Sequence, residues 1–153
     1  MVMKYQKIKP HEKTEEELRK LWDITYCIEP IITFDNIVVK FYSNMFDHAF
    51  YESIDRKQKD KSALSYARLE KIFWIKDTLQ DPDAELVQGY DNKTKRHSNS
   101  SRVAIIKDNY VVIIWMKTSK EAKFVTAYVA DNSIEKIKKS PKWEKLQNKK
   151  NAD

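Results

Sequence analysis

Three histidines stand in this chain, and their neighbours point to different chemistry for each. His48 lies in DHAFYES among Phe46, Phe50 and Tyr51, just ahead of a basic run. An imidazole, with an ordinary pKa of ~6.5, takes or gives a proton at neutral pH and so suits general acid–base work. A core histidine satisfied by a backbone carbonyl is the structural alternative. His97 sits in the basic loop KRHSNSSR with Lys95, Arg96 and Arg102, where it is placed to touch a phosphate, although connecting loops are polar in any case. His11 precedes an acidic run, but position 15 is Glu15, so the HExxH zinc pattern fails and plain surface is expected.

Hydroxyls and one guanidinium complete the reactive inventory. In KFVTAYVA, strand alternation puts Phe124, Thr126 and Tyr128 on one face, with Val125, Ala127 and Val129 on the core side. An open hydroxyl pair, Thr126 and Tyr128, beside cations is the arrangement that holds phosphate oxygens. An ordinary half-buried strand has the same composition. Arg68 lies one turn from Leu64 and Ile72, so its guanidinium either snorkels past the apolar stripe or offers its fork to a phosphate. Asp81, Asp83 and Glu85 cluster in a turn without ligand spacing, and neither a metal nor any other cofactor is expected.

Composition narrows the classes available. The chain has 153 residues, 41% apolar and 34% charged, which suits a single domain with a true core and an ionised surface. One glycine, Gly89, cannot build a Walker loop or a dinucleotide fingerprint, both of which need several. One cysteine, Cys27, permits no internal disulfide, and the cytoplasm is the expected compartment. No apolar run is long enough to span a bilayer and the first residues lack a signal-like stretch, so no membrane partner is expected. The net charge is +6, yet residues 1–30 hold six basic and six acidic side chains. The excess is carried by residues 55–76, net +4, and by 133–150, net +5. A surface of this kind attracts polyanions by counterion release.

The elements that must position these groups can be traced along the chain. Thr14 is expected to cap a helix that opens with three glutamates and repeats Leu18, Leu21 and Trp22 before Pro30. IITFDNIVVKFYS reads as two strands about Asp35 and Asn36, and a helical start is expected after Asn44. SALSYARLEKIFWIKDTL reads as one continuous helix closed by Pro82. AELVQGY is a strand, DNKTKRHSNSS a loop, and RVAIIK and YVVIIWMKT a hairpin about Asp108 and Asn109 that leads into KFVTAYVA. A basic helix, broken near Pro141, is expected last. The fold class is α+β, with N-terminal helices packed on an antiparallel sheet of about four strands.

Taken in order, a histidine in DHAFYES, a basic bridge, the helix SYARLEKIFWIKDTLQDP, the unit NYVVIIWMKT and the strand FVTAYVAD resemble the barnase, EndoU, colicin and RelE-like (BECR) ribonuclease superfamily, in its phage-associated branches. The resemblance covers residues 31–145. It leaves a helical segment, 1–30, of unknown role, and 146–153 as a frayed basic tail. It implies metal-independent RNA cleavage of toxin or phage-effector type, with His48, Arg68, Thr126 and Tyr128 as site residues and Lys57 and Lys61 as looser basic matches. In the mechanism assembled from these parts, the RNA 2′-hydroxyl attacks and a 2′,3′-cyclic phosphate forms. His48 moves protons, Arg68 with Lys57 or Lys61 opposes phosphorane charge, and Thr126 and Tyr128 position the phosphate, or Tyr128 makes the second proton transfer. Lys95, Arg96 and Arg102 are expected to bind RNA, possible targets being tRNA or mRNA, and a toxic activity calls for an acidic inhibitor or immunity protein as partner. A non-catalytic RNA- or DNA-binding module is the alternative.

Overall fold

Thr14 starts the first helix as its sequence demands. Its Oγ1 accepts from the Glu17 N–H at 3.1 Å, while the Glu17 carboxylate accepts from the Thr14 N–H at 2.9 Å. The helix, α1 (Glu15–Trp22), continues as a wider π-type turn, Asp23–Cys27, so Leu18, Trp22 and Tyr26 fall on one side and are all 0% exposed. The computed structural model describes residues 4–52, 63–91, 96–130 and 134–138.

The remaining elements follow in chain order. They are β1 (Ile31–Ile32), β2 (Val38–Lys40), α2 (Met45–Phe50), β3 (Tyr51–Glu52), β4 (Ala63–Leu64), α3 (Tyr66–Leu69), α4 (Trp74–Leu79), β5 (Glu85–Asp91), β6 (Arg96–Lys107), β7 (Tyr110–Met116), β8 (Glu121–Val129) and α5 (Ile134–Lys138). The class is α+β. One sheet has six strands in the order β1-β2-β8-β7-β6-β5, and β3 and β4 form a separate pair. The sheet is therefore larger than the four strands expected. It is also mixed, because β2 runs parallel to β8 with Val38 opposite Glu121 and Lys40 opposite Lys123. Where β2 ends, the chain turns and α2 packs against β8.

Two local expectations gave way to tertiary contacts. The helix expected over 62–79 is broken into α3 and α4 by a turn at 70–73. The buried Tyr26 hydroxyl donates to the Ile72 carbonyl at 2.5 Å and accepts from the Lys76 N–H at 3.0 Å, two groups that a continuous helix would bond to each other. The loop expected over 91–101 is shorter, since β6 begins at Arg96 and pairs with β5 across an irregularity at Gln88/Gly89. Gly89, Tyr90 and Asp91 of β5 pair with Ser98, His97 and Arg96, and these ladder partners override local turn propensity there.

The main core fills the space between the helices and one sheet face. Trp22 sits at its centre, with ring centroids of Tyr26, Phe41, Phe50 and Phe124 at 4.8, 5.5, 5.4 and 5.7 Å. Such aromatic pairs contribute ~0.5–1.5 kcal/mol each beyond their area. The N-terminal helix thus shares its core with the sheet. A smaller cluster on the opposite face joins Val87, Ala104, Ile106 and Val111 to Ile134 and Ile137 of α5.

Candidate nucleic-acid interface

Register decides which side chains meet on the face turned away from the main core. Across β6, β7 and β8, one row reads Arg102, Trp115, Lys123. The next reads Ala104, Ile113, Thr126, and the third Ile106, Val111, Tyr128. The third row is closed over by α5, whose Ile134 and Ile137 pack there with Tyr128 and Ile113. The first row lies open. Lys123 Nζ stands 5.3 Å from the centre of the Trp115 ring, within cation–π range.

A groove of about 650 Å³ runs over this first row and around β8 to α2, where His48 and Met45 line it beside Tyr42 and Asn44. His48 is exposed rather than held in the core. Among the described residues the groove is lined by two cations, an imidazole and aromatic rings, with no carboxylate. Cations that neutralise phosphates, together with an indole face on which a base can stack, make up the equipment of a single-strand binding surface.

The position of His48 is fixed by the packing of α2. Phe46, Ala49 and Phe50 are buried, and full burial of such a phenylalanine contributes ~1.5–3 kcal/mol. Arg19 of α1 then sets the orientation. Its Nη2 lies 2.5 Å from Asp47, its Nε lies 3.1 Å from Glu15, and its guanidinium stands 4.6 Å from the centre of the Phe46 ring. Partly exposed ion pairs of this kind are worth ~0.2–1 kcal/mol, so apolar burial holds α2 while Arg19 steers it.

The structure does not gather the four expected site residues at one point. Arg68, half-buried on α3, donates from Nη1 to the Ala49 carbonyl at 3.3 Å. It lines a different cleft, of about 200 Å³, with Ser65, Lys71, Tyr110 and the strand positions Ala127 to Val129. Burial pushes the Tyr110 phenol well above its ordinary pKa, with the Arg68 charge opposing. Thr126 lies on β8 between the two openings and lines neither. Tyr128 borders the smaller cleft along β8, while its ring packs with the far-face cluster. Burial raises its pKa too, so the phenol stays protonated and donates rather than acting as a base.

The expected alternation of β8 also needs correcting. Phe124 and Ala127 both face the main core, because the ladder to β7 shifts between Ile113 and Ile114 and Val125 has no opposite residue. The extra residue flips the faces, so Phe124 parts from Thr126 and Tyr128. Arg102 does reach the groove. Lys57, Lys61 and Lys95 lie outside the described residues, as do the side chains of Arg96 and His97. His11 is exposed as expected and stacks on Tyr66 at 4.2 Å between ring centres.

Trp115 and Lys123 were missed in the sequence. Alternation in YVVIIWMK does place Trp115 with Val111 and Ile113, but only the register sets it between two cations. No group of three or more His, Cys, Asp or Glu able to hold a metal ion occurs among the described residues. Nor is any described helix long and apolar enough to cross a membrane. Neither a family model, nor a curated protein, nor a solved structure matches the chain.

Proposed function

We propose that this protein binds single-stranded RNA across the Arg102–Trp115–Lys123 row and cleaves it without a metal. The observation that carries the proposal is the exposed imidazole of His48 at the rim of a groove floored by an indole between two cations. RNA brings its own nucleophile, the 2′-hydroxyl. The protein need only move protons and oppose the charge that builds on phosphorus. His48 takes the 2′-hydroxyl proton or returns one to the departing 5′-oxygen. Arg102 and Lys123 face the phosphate, and Trp115 stacks an adjacent base. Arg68 is assigned to tying α3 to α2. DNA, which lacks the hydroxyl, binds the same surface and survives.

The site of action that fits this reading is the cytoplasm, where RNA is met under reducing conditions. The single cysteine, Cys27, suits that setting, since it permits no internal disulfide. An acidic protein covering Arg102 and Lys123 would inhibit the activity.

A second reading, binding without scission, is favoured by a specific observation. His48 is the one residue lining the groove, among those described, whose ordinary pKa lies near neutrality. One experiment separates the two. Purified protein incubated with RNA in EDTA yields fragments ending in 2′,3′-cyclic phosphate if the first reading holds, and His48→Ala abolishes them. Intact RNA that is retarded on a gel supports the second.

A further inference from the structure

Three isoleucines are strongly exposed in one place: Ile24 at 56%, Ile28 at 71% and Ile32 at 52%. They line one groove of about 540 Å³ together with Glu29, Lys76 of α4 and Gln80 just past its end. Ile24 and Ile28 are one turn apart and present a continuous apolar ridge, while Ile32 extends it onto β1, the outermost strand of the sheet. Contiguous exposed apolar surface of this kind marks an interaction site.

We infer that this groove is a twofold contact between two copies of the chain. The charges around it argue for a second copy rather than a polyanion or a strongly charged protein. The groove carries one charge of each sign, Glu29 and Lys76, and residues 1–30 are net neutral in a chain of +6. An isologous pairing meets itself, so antiparallel Ile24–Ile28 ridges bring Glu29 of one copy against the partner's Lys76. Pairing by strand addition is ruled out at β1. Gln80 Nε2 donates to the Ile32 carbonyl at 3.2 Å, and the Phe34 N–H donates to the Leu79 carbonyl at 3.1 Å, so α4 already caps that edge. The contact is therefore made by side chains.

This association responds to salt in the opposite sense to RNA binding. Two copies of +6 repel at long range, and salt screens that repulsion while leaving the apolar contact intact, an effect larger than the weakening of the two exposed Glu29–Lys76 pairs. Binding to RNA weakens as salt rises.

Sedimentation equilibrium of the full chain, over micromolar concentrations at low and high salt, tests the inference. The expected result is a monomer–dimer equilibrium that tightens with salt. Ile28→Asp places a carboxylate at the centre of the contact twice over and raises the dissociation constant at least ~100-fold, with the circular dichroism unchanged. Ile24→Ser, a milder change, weakens it by ~10-fold or more. Glu29→Lys weakens association, and Lys76→Glu added to it restores association. A wild-type chain that stays monomeric throughout, or an Ile28→Asp chain that still dimerises, overturns the inference. Neither result bears on the RNA site, because Trp115→Ala leaves association unchanged and Ile28→Asp leaves RNA retardation unchanged.

Discussion

Arg68 Nη1 donates to the carbonyl of Ala49, the residue after His48, yet the guanidinium and the imidazole open onto different clefts. The two side chains therefore have separable effects. His48→Ala is expected to lower the single-turnover cleavage rate ~100- to 10,000-fold while the urea midpoint moves less than in Arg68→Ala, since the side chain is exposed. Arg68→Ala is expected to lower stability by ~1–2 kcal/mol while cleavage by the folded fraction falls less than ~10-fold. Equal losses of rate in both variants would place Arg68 back at the reacting phosphate.

Trp115 is expected to account for much of the RNA affinity. Removing a stacked ring costs ~1–3 kcal/mol per base, so Trp115→Ala weakens binding ~5- to 150-fold and Trp115→Phe recovers part of it. Lys123→Ala acts differently. It removes a phosphate contact, so a plot of log affinity against log salt becomes shallower by about 0.7 for a single strand. Titrations of fluorescent RNA at several salt concentrations read both effects.

The N-terminal segment is tied down by a pH-sensitive contact. The Tyr5 hydroxyl donates to Asp81 at 2.7 Å, and Lys107 Nζ lies 3.4 Å from the same carboxylate. Burial pushes the Asp81 pKa up, but the bonds from Tyr5 and the Asp83 N–H, with Lys107, outweigh it and hold the carboxyl below its usual value. The stabilisation is therefore present above the unfolded carboxyl's ~3.9 and is lost as pH falls through the lower folded value. Tyr5 has the opposite sign. Burial, then the bond to Asp81, raises its pKa, so its contribution is full below ~10 and fades in alkali. Tyr5→Phe is expected to lose ~1–2 kcal/mol at pH 7, and its gap from wild type should narrow below pH ~4 in urea melts. A gap independent of pH would exclude the contact.

Tyr26→Phe tests the break between α3 and α4. Without the hydroxyl, the Ile72 carbonyl and the Lys76 N–H lose their shared partner, and a buried unpaired group costs ~1–3 kcal/mol. Faster amide exchange at Lys76 should accompany the loss. A neutral substitution would mean that the two groups close a regular helical bond instead.

What could be read in advance was local. Thr14 announced a helix cap, which the structure completes as a box with Glu17, and Asp108 with Asn109 announced a hairpin, where Asp108 adopts φ 56°. Asn36 likewise turns the chain between β1 and β2 at φ 69°. What escaped was set by residues distant in the chain. The hydroxyl that splits the 62–79 helix comes from Tyr26, and the partner of Val38 on β8 is Glu121. Of the site, His48 and Arg102 were legible as a titrating group and a cation. Trp115 and Lys123 were not, because a row across three strands exists only once register is fixed, and the unmatched Val125 in β8 breaks the rule used to read it.

The parallel pairing of β2 with β8 also governs how the chain must be made. Val38–Lys40 is synthesised early, but its neighbour Glu121–Lys123 leaves the ribosome only after β5, β6 and β7. Until then the strands on either side of β8 have no seam to join them, and Phe41 and Phe50 lack the ring of Phe124 on which the aromatic centre closes. Nascent chains stopped short of β8 are therefore expected to be inert and prone to capture by chaperones, since pairing across so long a separation is slow and leaves apolar surface uncovered. The groove between β8 and α2 is therefore complete only once β8 has left the ribosome.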